Sequence, residues 1–106
     1  MALRNHRVPV SYGANIMALE FLPERPVTAN TPTVVLAHGW CLDHTSWHKV
    51  VADLQSRRDV RVVLYDQRGH GKSSMGEVGD PTVRILGDDL REVIDALAPE
   101  GDLVLA

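Results

Sequence analysis

The sequence predicts an α/β fold: a short hairpin, then parallel strands that alternate with helices lying on both faces of the sheet. Three observations carry this. Thr33 to Ala37 and Val60 to Tyr65 are short β-branched and aliphatic runs without polar alternation, the pattern of strands covered on both faces. Between and after them lie two stretches with apolar residues at helical spacing. Strand and helix then follow one another in turn, which implies right-handed crossovers and a parallel sheet.

The elements follow in order. Val8, Val10 and Tyr12 alternate with other residues and predict a strand, Gly13-Ala14-Asn15 a turn, and Ile16 to Leu22 a second strand, together a hairpin. Pro23, Pro26 and Pro32 keep this strand from running on. After Thr33–Ala37, Thr45 or Ser46 is the expected cap of a helix whose apolar face is Trp47, Val50, Val51 and Leu54. Gln67 to Gly79 holds four glycines and no periodicity, and is expected to be loop. Asp80-Pro81 has the form of a helix start, and Val83, Leu86, Leu90, Val93, Ile94 and Leu97 mark one face of that helix. Gly87 weakens it by about 1 kcal/mol without overruling the pattern. Pro99 and Gly101 end it, and Leu103 to Ala106 begin another buried-type strand.

Bulk properties exclude several functions. With 106 residues, 44% hydrophobic and 24% charged, the chain is one small domain or part of a larger one. The net charge of −3 carries no basic stripe, so no nucleic-acid partner is expected; Arg57, Arg58 and Arg61 are interrupted by Asp59. The longest apolar runs are four to five residues, far short of the roughly twenty that span a membrane. No signal-peptide pattern follows Met1. A single cysteine permits no internal disulfide, which fits a cytoplasmic location.

Two segments carry chemistry: Val34-Val35-Leu36-Ala37-His38-Gly39-Trp40, and Val62-Val63-Leu64-Tyr65-Asp66-Gln67-Arg68-Gly69-His70-Gly71-Lys72-Ser73. A strand ending in His-Gly, a tryptophan seven residues after the Gly-Trp pair, then a strand ending in Asp-x-Arg-Gly-x-Gly-x-Ser about thirty residues on resembles the α/β-hydrolases. The version here is similar to that of epoxide hydrolases, non-haem haloperoxidases and small esterases. The resemblance covers about residues 8 to 106, and implies an incomplete α/β-hydrolase sheet, with residues 1–106 the N-terminal portion of one hydrolase domain.

The resemblance also implies roles. Acyl transfer builds negative charge on an oxygen and needs N–H donors fixed where it develops; one comes from the loop after the third strand. That donor would be the backbone N–H of Trp40. Gly39 would allow the tight turn, and His38 would hold the loop through its ring nitrogens rather than act as a base. The family often has proline where this chain has Cys41, a departure that leaves the loop less rigid. Asp66 and Arg68 would brace the second loop, with Gly69 and Gly71 making its turns. The implied reaction is hydrolysis of an ester, epoxide or similar small apolar substrate through a covalent intermediate, with no cofactor.

The nucleophile of that family sits in Gly-x-Ser-x-Gly, or its Asp or Cys equivalent, directly after the strand that begins at Leu103. No serine here has that context: Ser74 has Gly76 after it but Lys72 before it. No histidine lies beyond position 70. The 106 residues are therefore expected to be a truncated sequence, inactive alone. Two alternatives come from other classes. One is a non-catalytic interaction module that self-associates or completes its sheet with a partner through an uncovered strand edge. The other is a nucleotide-binding module at Gly69-His70-Gly71-Lys72-Ser73; against it, the position of the first P-loop glycine is Asp66, whose carboxylate would repel a phosphate. His44 and His48 are four apart with Cys41 nearby, but a zinc site needs a third and usually a fourth ligand held in place, and a polar helix start facing solvent is the expectation there.

Overall fold

The computed structural model describes residues 2–39 and 42–106. Five strands form one open sheet in the order β1-β2-β4-β3-β5: β1 Ala2–Pro9, β2 Asn15–Leu22, β3 Thr33–Ala37, β4 Arg61–Tyr65 and β5 Leu103–Leu105. The helices are α1, His48–Arg57, and α2, Val83–Leu97. β1 and β2 are the expected hairpin, in antiparallel register from Ala2↔Leu22 to Pro9↔Asn15. β2 also pairs antiparallel with β4, Ala18 opposite Tyr65, whereas β3 pairs parallel with β4 and with β5.

The period of two along each strand separates two cores. Met17, Leu19, Val34, Leu36, Val62 and Leu64 face α1, where Val51 is buried against them and Trp47 and Leu54 pack alongside. Val8, Ile16, Ala18, Val35, Val63 and Tyr65 face α2 and its buried Val93, with Leu90, Ile94 and Leu97 beside it. The helices thus lie on opposite faces, as expected.

Element boundaries differ from expectation for local reasons. β1 runs six residues further toward the N-terminus and stops at Pro9, which an edge strand accommodates. Tyr12 is not in a strand: it sits at φ 61° within the tight turn Ser11–Gly13. The first cap is Asp43, whose carboxylate accepts from the Thr45 N–H at 2.9 Å, and a short 3-10 turn, His44–Trp47, leads into α1. Asp43 stands two residues ahead of that donor and displaces Thr45 and Ser46 from the cap. α2 is capped by Thr82 rather than Asp80, because the Thr82 Oγ1 accepts the Ile85 N–H at 3.2 Å. Val50 and Val83 fit the helical spacing yet lie 45% and 86% exposed, Val83 in the first turn of its helix. β5 extends the β3 edge, and Thr33 N–H donates to Asp102 O, yet Leu103, Val104 and Leu105 are all exposed.

Candidate functional site

The C-terminal ends of β3 and β4 lie side by side, and the loops that leave them meet. This is where open α/β sheets carry their ligands. From β3 come His38 and Gly39; Trp40 and Cys41 lie outside the described residues. From β4 comes the segment Asp66 to Ser74.

His38 is buried and joins the two loops. Its Nε2 accepts the Gln67 backbone N–H at 2.9 Å, so Nδ1 carries the proton and donates to Gly39 O at 2.7 Å. Gln67 Nε2 returns a bond to His38 O at 3.1 Å. Both ring nitrogens are therefore occupied. The His70 ring lies beside this clamp, 5.1 Å from that of His38. A cavity of about 460 Å³ opens between the two loops, lined by Leu42, Asp43, Thr45, Ser46, His70 and Gly71.

Asp66 is fully buried. Its Oδ1 accepts the backbone N–H and the Nδ1 of His44, each at 2.8 Å, and its Oδ2 accepts the Lys72 N–H at 3.0 Å. The loop curls around this carboxylate. Gly71 has φ +50°, and a Cβ there would overlap the Asp66 carboxylate. The Gly-Lys-Ser turn thus holds an anion, but the anion is the chain's own. His44 does not face solvent as expected; it is turned inward onto Asp66, its side chain 14% exposed. Among the described residues no group of three or more His, Cys, Asp or Glu side chains is arranged to hold a metal ion.

Arg68 does not pair with Asp66. It crosses the sheet end and forms two bonds with Asp89 of α2, Nε to Oδ2 at 2.9 Å and Nη2 to Oδ1 at 2.7 Å, with both side chains buried. Nη1 donates to Met75 O at 3.2 Å and Nη2 to Ser11 Oγ at 3.3 Å. The Asp89 hydrogen bonds and charge outweigh burial and raise the guanidinium pKa further above its ordinary value. Ser73 and Ser74, expected only as loop residues, stitch the loop to β2. Ser73 Oγ donates to Asp66 O at 2.6 Å and accepts the Met17 N–H at 2.8 Å, and Ser74 Oγ accepts the Asn15 N–H at 2.9 Å.

Sequence reasoning missed Asp89 and the inward role of His44. The sign for Asp89 was present: it is a charged residue within the apolar stripe, three after Leu86 and four before Val93. His44 carried no such mark. Of the arginines weighed as a basic patch, Arg57 pairs with Asp53, and Arg61 with Glu20 at 2.7 Å.

Two loops are thus locked at the ends of adjacent parallel strands, one through His38 and one around Asp66. Residues 32–100 match the alpha/beta hydrolase fold family, and the chain belongs to it. It is 41% identical over 68 residues to the 3-oxoadipate enol-lactonase 1 of Acinetobacter baylyi, an alignment covering 64% of this chain and 24% of that protein. It is 32% identical over 72 residues to the protein phosphatase methylesterase 1 of Bos taurus, covering 68% and 18%. An esterase from Exiguobacterium antarcticum shares the fold, with a TM-score of 0.78 at 22% identity over 96% of this chain and 34% of its own. The chain thus spans about a quarter or less of the curated relatives it matches here.

Proposed function

We propose that these 106 residues are the N-terminal, oxyanion-side portion of an enzyme that hydrolyses an ester, epoxide or similar small apolar substrate. The observation that carries the reading is the His38 clamp. With its Nε2 lone pair taken by the Gln67 N–H and its Nδ1 proton given to Gly39 O, the imidazole has no free nitrogen with which to act as a base. Its role is to fix the backbone leading into Trp40. On this reading Trp40 N–H donates to the oxygen that gains charge, Gly39 permits the turn, and Asp66, Arg68, Gly69 and Gly71 brace the neighbouring loop. The lactonase and methylesterase relatives, both named for ester cleavage, support the ester as substrate class.

In such a reaction a nucleophile attacks the acyl carbon, the alcohol leaves with a proton, and water then releases the acid from the acyl-enzyme. Side chains and water suffice, so no cofactor is invoked. The nucleophile, acid and base are not among these residues: no Gly-x-Ser-x-Gly occurs in the sequence. Oxyanion donors without them give little rate. The purified 106-residue chain (11.7 kDa) is therefore expected to show no turnover of p-nitrophenyl esters above a heat-killed control, whereas the native protein from its source is expected to have a larger intact mass and to turn them over. Activity in the short chain would overturn the assignment of the missing groups.

The exposed strand β5 favours a second reading, in which the bare edge recruits a second copy or a partner by strand addition. A native mass of 11.7 kDa with a discrete dimer in light scattering would support it over the first. No helix among the described residues is long and apolar enough to cross a membrane. The cytoplasm is the compartment we propose, from the single cysteine.

A further inference from the structure

A second cavity lies across β4 from the oxyanion loop, over the α1-facing side of the hairpin. Its polar end, about 560 Å³, is lined by Asn5 and Arg7 of β1, by His44 and by Lys72. It shares Leu3 and Leu19 with an apolar recess of about 290 Å³ that continues along α1, over Phe21, Val51 and Ala52. The strand register explains the layout. Leu3, Asn5 and Arg7 project from the same side of β1, opposite Phe21, Leu19 and Met17 of β2, so an apolar-to-cationic gradient runs along one face of the hairpin.

His6 also lines the polar end and is bonded to Glu20 at 3.0 Å, but two of the cations there are not neutralised locally. Arg7 and Lys72 make no side-chain hydrogen bond or ion pair among the described residues. No residue lining either end is acidic. The carboxylate that His44 touches, Asp66, is buried behind it and already accepts three N–H groups. With Nδ1 donating to Asp66, the neutral His44 ring turns only the Nε2 lone pair outward, so it lines the polar end without bonding an anion. Two unpaired cations beside a hydrophobic recess match an anionic head joined to an apolar tail.

We propose that this groove binds a medium-chain carboxylate, the head held by Arg7 and Lys72, and the acyl chain lying over Leu3, Leu19 and Phe21 against α1. The groove borders the candidate site through His44 and Lys72, which lie on the loops after β3 and β4, but the proposal does not depend on the hydrolase reading. The test is isothermal titration of the protein with decanoate, decanol and acetate. Decanoate is expected to bind saturably at one site, at least tenfold more tightly than either decanol or acetate, and more weakly as salt is raised. The double variant R7Q/K72Q, both side chains lying at the surface, should weaken decanoate at least tenfold. R84Q, an exposed α2 arginine, should leave it unchanged. Leu3→Ser should weaken decanoate but not acetate. No saturable binding, equal affinity for decanoate and decanol, equal affinity for decanoate and acetate, or no effect of R7Q/K72Q would each overturn the proposal.

Discussion

Removing the carboxylate of Asp89 leaves the Arg68 guanidinium buried with its charge unpaired, since the side chains are 1% and 0% exposed. Breaking a buried pair by deleting one partner costs about 3–5 kcal/mol. Met75 O and Ser11 Oγ still accept from Arg68, which places the expected cost of Asp89→Ala near the lower end, about 3 kcal/mol. The assay is equilibrium urea unfolding followed by far-UV circular dichroism. With a slope of about 1–1.5 kcal/mol/M, typical of a small domain, the midpoint should fall by roughly 2–3 M. Asp89→Asn keeps one acceptor and should lose less. The diagnostic variant is the double substitution Arg68→Met with Asp89→Leu, which removes both charges and fills a similar volume. It should be more stable than Asp89→Ala by at least about 1 kcal/mol, because the cost of the single change is an orphaned charge rather than a lost attraction. If the double variant is as unstable as the sum of the two single changes, the pair does not act as a coupled buried unit and this reasoning fails.

Three further outcomes follow from the same geometry. Gly71→Ala sets a Cβ onto the Asp66 carboxylate at positive φ and should cost about 2–3 kcal/mol in urea unfolding, whereas Gly79→Ala, with open space around it, should stay within about 0.5 kcal/mol. Burial, reinforced by the Asp89 charge, pushes the Tyr65 hydroxyl up to about 12. The folded state then keeps a proton that the unfolded chain releases near pH 10, so stability is intact below pH 10 and falls by roughly 2–3 kcal/mol toward pH 12; Tyr65→Phe should abolish that component of the alkaline fall. Burial alone would raise the Glu20 carboxyl, but hydrogen bonds from Arg61 and His6, with their charges, outweigh it and hold it below its ordinary value. Its contribution is present above the ordinary carboxylate range and lost as pH drops through the depressed value, and Glu20→Gln should flatten the acid limb of a stability–pH profile.

The layers of the fold were legible because burial on two faces leaves a composition that polar alternation does not. Val34-Val35-Leu36 and Val62-Val63-Leu64 could be placed from that alone. The ends of elements were not, because competing caps differ by one hydrogen bond: Asp43, Thr45 and Ser46 all have acceptors, and the backbone path selects Asp43. At the site, the motif located Asp66 and Arg68 but not their partners. Asp66 looks outward along the chain to His44, 22 residues earlier, and Arg68 reaches Asp89, 21 residues later. Such partners are fixed by the crossovers that bring β3, β4 and α2 together, and no local spacing encodes them.

The two halves of one short motif therefore do different work. Asp66 gathers N–H groups from the loop after β3 and from its own loop, so it couples the two edges of the cleft. Arg68 ties the same loop to α2 on the other face of the sheet, with Asp89 as anchor. A loop held from both faces keeps its backbone amides where they are without help from a ligand. That is the requirement for stabilising charge that appears only in a transition state, since donors that must first reorganise lose most of their value. In the reading proposed above, the carboxylate of Asp66 serves that requirement by filling the loop's interior with a permanent anion. The same occupancy answers the nucleotide-binding alternative: the Lys72 N–H that a phosphate would need already donates to Asp66 Oδ2 at 3.0 Å.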